Sequence, residues 1–576
     1  MSTARLSLTL LLGFAWPIAA QSLNFNEPVQ IYNKGVVNTA SVMAPDLPGG
    51  AIAQGSVFSI YGSNLGPTNG VQVNAFPLQT TFQNVSIKVF RGTTSVDALP
   101  IYVSATQINA LMPSNAPLGR VSVQVTYNAP SLPCFGPGSA PCYGPTSNPV
   151  PVTVIPSSFG IFALNGGGFG PGILQNFISQ ASQPINSAKQ TARPGQVITM
   201  WGTGLGPLAV PDNVAPPAAS LPVQVEVFVG GKSANVAYSG RTPCCSGVDQ
   251  IVFTVPQDAP QGCFVPVQVR VAGQVVSNAV TMAISLDGST CSDPANPLEQ
   301  NLLSGGNYGA VLAHRIVGTL NQFSGTPPNF VFDVVGAALW NESGAPGAYN
   351  PYYSLPPRGS CTIFTAAGDL LGDTPLSGLQ PTGHALDGGS PLILSGAGAP
   401  PPLPLLAGAF FGLVGSNVPA LAVPSTVFDQ GTRLTVSIPG GVDVGPLQAN
   451  FLTTAPVSWT NGTQLAQVDR GHDLTFAWSG GDDQHESVLL GGISSDTPTH
   501  SSAAFLCLAS PANGSFTIPS YVLANLPATR ATETLPKSWL FLGSIPLNGA
   551  TPFSVHGVDA GFAIFSPWNV RAVVYR

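Results

Sequence analysis

Two short polar runs hold most of the groups in this chain suited to moving protons or holding a cation. They are Asp469-Arg470-Gly471-His472-Asp473 and Asp482-Asp483-Gln484-His485-Glu486. Carboxylates and an imidazole in one loop are what a calcium or transition-metal site draws on. A strand-like run, Leu474 to Trp478, separates them. A strand advances about 3.3 Å per residue, so the two runs fall at opposite ends of that strand and do not form one site. The second run reads as a solvated hairpin turn. Its Asp482, Asp483, His485 and Glu486 are the candidate cation ligands, although no metal or other cofactor is expected.

Hydrolytic chemistry has no comparable marker. The chain has no Gly-x-Ser-x-Gly elbow for a serine nucleophile and no His-Glu-x-x-His zinc pair. His314, His384, His500 and His556 each stand alone in sequence. Gly166-Gly167-Gly168 with Gly170 lacks the Gly-Lys-Ser/Thr ending of a phosphate loop. The 25 acids leave paired carboxylates on distant loops as the enzymatic alternative, an extracellular hydrolase with its site in residues 294–576. The expected ligand-binding stretch is aromatic instead: Trp340, Tyr349, Tyr352 and Tyr353 lie among Gly, Pro, Asn and Ser. Rings of this kind stack on sugars, while Asn341, Glu342 and Asn350 would hydrogen-bond the hydroxyls. The competing reading is that the rings cover the core beneath a long loop.

What positions these groups is a duplicated unit. Gly55-Ser-Val-Phe-Ser-Ile-Tyr-Gly-Ser-Asn-Leu-Gly-Pro67 returns as Gly195-Gln-Val-Ile-Thr-Met-Trp-Gly-Thr-Gly-Leu-Gly-Pro207. Val85-Ser-Ile-Lys-Val-Phe-Arg-Gly92 returns as Val223-Gln-Val-Glu-Val-Phe-Val-Gly230, and Gln107-Ile108 with Pro113 as Gln250-Ile251 with Pro256. Ser147-Asn148 and Ser277-Asn278 precede the last strand of each copy. A period this long means tandem globular units. Within each copy, short β-branched runs alternate with turn signals, the pattern of a sandwich. The organisation expected is a signal peptide over 1–20, a leader over 21–35, one unit over 36–156, a second over 157–292, and a C-terminal β region over 293–576 that splits into lobes near 430. The fold class is all-β. Pro400 to Pro424 is apolar, but its prolines break any spanning helix, and Leu405 to Val414 reads as a Pro-rich loop on a sandwich.

Composition agrees with this organisation. Charged residues make up 7% of the chain, against about 25% in ordinary soluble domains. The 65 glycines and 57 prolines suit strands joined by turns. A net charge of −7 with 18 Lys and Arg leaves no basic array for phosphates, which excludes nucleic acid as a partner. Arg5, the apolar run Leu6 to Ile18 and the small residues before Gln21 read as a cleaved export signal. Eight cysteines in an exported chain imply disulfides. Cys134 and Cys142 bracket one loop, and Cys361 and Cys507 pair by elimination. Cys244, Cys245, Cys263 and Cys291 form two bridges whose connectivity the spacing leaves open. The adjacency of Cys244 and Cys245 favours separate partners, Cys263 and Cys291.

The three repeated blocks, with Ser-Asn before the last strand, resemble the IPT/TIG group of immunoglobulin-like domains, and more narrowly the tandem repeats of exported acidobacterial proteins. The resemblance spans residues 36–292. It implies two tandem immunoglobulin-like sandwiches and carries no catalytic residue. The function expected is binding or adhesion at the cell surface or outside it, with a carbohydrate or protein partner, or a structural part in a surface assembly.

Overall fold

The computed structural model describes residues 28–128, 145–243, 245–296, 298–299, 303–319, 329–342, 344, 347–350, 354–366, 383–396, 400–406, 409–418, 421, 423–496, 499, 501–529 and 537–576. The expected signal segment, Cys134, Cys142, Cys244, His500, Tyr352 and Tyr353 lie outside these residues.

The molecule is all-β. In the first sandwich the strands run in the order Gln30–Asn38, Val57–Ser63, Gln107–Leu111, Thr94–Val103, Val85–Arg91, Gly119–Tyr127, Val150–Ile155. In the second the order is Gly160–Ile161, Val197–Thr203, Asp249–Thr254, Lys232–Arg241, Val225–Val229, Gly262–Val271, Val280–Ile284. The two orders correspond strand for strand. Even the irregularity repeats: the register slips between Pro100 and Tyr102 in one copy and between Val236 and Tyr238 in the other. Alternation explains the packing. Val121, Val123 and Val125 point inward with Val85, Ile87 and Val89 of the neighbouring strand, and the residues between them face out.

The repeated Ser-Asn pair has the same task in both copies. Asn148 Oδ1 accepts from the Ile31 N–H at 2.9 Å and its Nδ2 donates to the Ile31 carbonyl at 3.0 Å. Asn278 does this to Ile161 at 2.8 and 2.9 Å. The serines accept from the Val125 and Val269 N–H groups. Each asparagine therefore stands in for a backbone partner that the first strand lacks.

The C-terminal region is built on an 11-stranded sheet among the described residues. Its central path is Ser360–Ala366, Ser501–Ala509, Ser487–Asp496, Trp539–Ile545, Val558–Ala572, Gly306–Thr319, Asn329–Glu342, Ala409–Ser416 and Leu405–Leu406. Two small sheets cover one face. Ile393–Ser395, Arg433–Ile438 and Leu447–Leu452 pack over one half, burying Leu434, Val436, Phe451, Val311 and Phe565. Ser458–Trp459, Leu474–Ser479 and Ser515–Ile518 cover the other half, burying Phe476, Trp478, Phe505 and Leu540.

Three expectations are corrected here. Leu405 to Val414 is not a loop: it forms two strands, because Ala409–Ser416 pairs with Asn329–Glu342 along the sheet. The run Asp482–Glu486 is not a hairpin turn: Leu474–Ser479 belongs to a small sheet and Ser487–Asp496 to the large one, so the run is the crossover between them. Cys263 bonds Cys291, not Cys244 or Cys245. Cys263 begins one strand at the end where its neighbour Val280–Ile284 finishes, which brings Cys291 close. Cys245 precedes Asp249–Thr254 at the opposite end and is bonded to a cysteine outside the described residues. Cys361 and Cys507 are bonded across directly opposed positions of neighbouring strands, as expected.

Candidate functional site

The aromatic stretch singled out in the sequence is brought inside. Trp340 and Asn341 end the strand Asn329–Glu342, where Trp340 is half-buried and Asn341 Nδ2 donates to Asn307 Oδ1 at 2.7 Å. Tyr349 is 3% exposed and is wedged among Phe169, Phe264 and Phe364, where the second sandwich meets the large sheet. Burial pushes its phenol above the usual range, with a Thr362 hydrogen bond opposing. Asn350 Nδ2 donates to the Tyr308 hydroxyl at 2.8 Å, also inside. Tyr349 and Asn350 therefore serve a seam, and neither is open to a sugar.

The acidic crossover is divided among internal partners. Asp482 Oδ2 lies 2.7 Å from His485 Nδ1, and that ring holds the Asp482 carboxyl below the usual carboxylate range, helped by the Gln484 N–H. Asp483 pairs with Arg358 at 3.2 Å and accepts from Ser510 Oγ. Glu486 is buried, which raises its carboxyl. The Arg358 guanidinium also reaches the carbonyls of Asp483 and Glu486 and the hydroxyl of Ser487, tying the crossover to the main sheet. Among the described residues, no three His, Cys, Asp or Glu side chains converge as a metal site.

A different aromatic surface lies on the uncovered face of the large sheet. Strand alternation sends Val311 and Ala313 under the small sheet and Leu312 and Ile316 the other way. The same alternation on five strands gathers Phe332, Phe411, Leu413, Trp539, Phe541 and Val570, all half-buried, around a buried row that includes Phe330, Val334, Leu489 and Trp568. Two rings lie across the facing strand because glycine is there. A Cβ on Gly543 would sit 2.8 Å from Trp568 Cδ2, and one on Gly491 would run into the Phe541 ring. Rings laid against a sheet present a π face outward. Under them, His314 Nδ1 accepts from the Trp568 indole N–H at 3.0 Å. Burial lowers the His314 pKa to about 4, with the Ser566 backbone pulling the other way, so the ring is neutral. Sequence reading missed this surface because its members come from distant strands. The available signal was the alternating pairs Phe330-x-Phe332, Phe411-x-Leu413 and Trp539-x-Phe541.

Two further polar groupings were also invisible in sequence. Lys34 Nζ donates to Ser501 Oγ at 2.5 Å across 467 positions and pairs with Asp46 at 3.6 Å. Burial lowers the Lys34 pKa, with Asp46 and Asp496 opposing. A serine beside a lysine of lowered pKa is a nucleophile–base arrangement, but Ser501 is 0% exposed. The other grouping is Asp293 and Glu299, 7% and 1% exposed. Burial and the nearby Asp293 push the Glu299 carboxyl up to about 8, against two backbone N–H donors.

No family model matches the chain, and no curated protein matches it. Solved structures resemble it only loosely. The fibronectin domains FN1–FN3 of chicken CNTN1 are 9% identical, covering 64% of this chain and 92% of that one with a TM-score of 0.13. The N-terminal eight Ig domains of Down Syndrome Cell Adhesion Molecule are 10% identical, covering 91% and 53% with a TM-score of 0.11. An endo-fucoidan hydrolase from glycoside hydrolase family 107 is 11% identical, covering 74% and 44% with a TM-score of 0.11. Superpositions this loose leave the functional argument to the residues themselves.

Proposed function

We propose that this is an exported, non-enzymatic binding protein in which two IPT/TIG-like sandwiches support a C-terminal sheet that takes an extended carbohydrate on its aromatic face. The observation that carries the reading is the half-buried row Phe332, Phe411, Trp539 and Phe541 on the one face of the large sheet that no small sheet covers. Apolar sugar faces stack on such rings, and an extended sheet offers a linear track rather than a reaction pocket. Export is supported by the bridges Cys263–Cys291 and Cys361–Cys507, which persist in oxidising compartments. Among the described residues no helix is long and apolar enough to cross a membrane.

The test is a glycan array with the full chain, followed by Phe411→Ala with Phe541→Ala. Each stacked ring contributes about 0.5–1.5 kcal/mol, so the double variant weakens binding about tenfold with its melting temperature largely kept. Binding to no glycan, or binding indifferent to both substitutions, would sink the proposal. A hydrolase reading draws on Lys34 and Ser501. Labelling of Ser501 by a fluorophosphonate in the native chain, lost in Lys34→Met, would favour it over the binding reading.

A further inference from the structure

The segment that leaves the second sandwich carries a compact set of oxygen donors with no partner for their charge. Two consecutive turns shape it: the Asn296 N–H donates to the Asp293 carbonyl at 2.9 Å, and the Glu299 N–H to the Asn296 carbonyl at 3.1 Å. With three residues per turn, side chains at i, i+3 and i+6 stack on one side. Asp293, Asn296 and Glu299 therefore share a side. Glu299 also folds back along it. Its Oε2 accepts from the Asp293 N–H at 2.9 Å and its Oε1 from the Cys263 N–H at 3.1 Å. The glutamate carboxylate is thereby drawn past Asn296 towards Asp293, and the Cys263–Cys291 bridge holds the same corner.

All three side chains are buried, at 7%, 2% and 1% exposure. Among the described residues neither carboxylate forms an ion pair. The Arg358 guanidinium, whose field reaches Asp293, is taken up by Asp483, Glu486 and Ser487. The independent observation is Asn296: its Oδ1 and its Nδ2 are both buried without a hydrogen-bond partner. A buried carboxamide left unpaired between two carboxylates is costly, and native structures seldom leave one without a water or an ion. Each Glu299 oxygen, having accepted one N–H, keeps a second lone pair.

We propose that Asp293, Asn296 and Glu299 bind a calcium ion at the joint between the second sandwich and the C-terminal sheet. The donors are oxygen only, which selects a hard cation. Calcium accepts irregular geometry from carboxylate, carboxamide and backbone oxygens, whereas magnesium keeps a near-octahedral shell with several waters that a site this buried does not house. Two carboxylates rather than three place the affinity in the weak class, on the order of 0.1–1 mM, as in extracellular modules.

The experiment uses the full chain, stripped with EDTA and titrated with calcium chloride, read by equilibrium dialysis and by melting temperature. Magnesium chloride at equal ionic strength is the control. One calcium ion per chain is expected, with a rise of several degrees in melting temperature that magnesium does not reproduce. Asn296→Ala should weaken calcium binding about tenfold or more, and Asn296→Asp, which supplies a third carboxylate, should tighten it about tenfold. Asn296→Asp keeps the test decisive if the alanine variant fails to fold. No calcium bound at about 10 mM, an equal response to magnesium, or an Asn296→Asp affinity no better than the parent's would overturn the proposal.

Discussion

His314 is a base held where it cannot take a proton. Its ring lies between two strands of the large sheet, 6% exposed, with Nδ1 committed to the Trp568 indole. The folded pKa of about 4 lies below the ordinary 6.5 because burial penalises the imidazolium. Between those two values the unfolded chain binds a proton that the folded chain refuses. Stability is therefore complete above pH 6.5 and is lost as pH falls towards 4, by about 3 kcal/mol. Urea midpoints from about pH 7 down to about pH 4.5 measure this, and His314→Gln, which keeps an acceptor for Trp568, should flatten the slope. An unchanged slope would mean that His314 does not govern acid sensitivity. Asn278 makes the second residue-scale prediction. It is 4% exposed, so Asn278→Ala strands the Ile161 N–H and carbonyl away from water and costs about 1–3 kcal/mol. Asn148 is exposed, water replaces it, and Asn148→Ala costs under about 1 kcal/mol. Equal losses in the two variants would contradict this account of the Ser-Asn pair.

At the scale of elements, the two sandwiches were legible because local and repeated signals agree. Val-x-Val alternation marks each strand, and the copy confirms where strands begin. The C-terminal strands were harder for a physical reason. Phe330-Val-Phe-Asp-Val-Val335 reads as a strand, but Gly336-Ala-Ala-Leu339 has little β propensity of its own. The strand continues to Glu342 because neighbours pair with it on both sides: Gly306–Thr319 on one and Ala409–Ser416, then His384–Ala385, on the other. Trp340 was thus taken for a loop residue when it ends a central strand. The same limit hid the aromatic face. Alternation within one strand says which residues share a side, but which strands lie next to one another is fixed by long-range pairing such as the parallel match of Gly306–Thr319 with Val558–Ala572.

At the scale of the molecule, the repeats look separable in sequence and are not separable in space. Met43, Ala44 and Leu47 of the first repeat and Val276 and Ala279 of the second lie in one core with Phe476, Phe505 and Leu540 of the C-terminal region. Phe228 of the second sandwich stacks on Tyr521 with ring centroids 4.1 Å apart, under the Arg270 guanidinium. Between the two repeats, Arg241 pairs with the wholly buried Asp249 at 2.6 Å and donates to the Gly55 and Gly206 carbonyls. A charge pair buried in this way is costly to expose, because removing either partner leaves an unpaired ion. The molecule should therefore unfold as one unit, although three units can be read in its sequence. Calorimetry of the full chain is expected to give a single transition whose calorimetric and van't Hoff enthalpies agree. Leu47→Ala, which empties part of the shared core, should lower that transition by about 2–5 kcal/mol of stability without splitting it. A fragment confined to residues 294–576 should lose the contacts made by Met43, Leu47 and Phe228, expose Phe476 and Tyr521 more fully, and aggregate. Two or three separate transitions in the full chain, or a monomeric and stable 294–576 fragment, would show that the shared core does not couple the units.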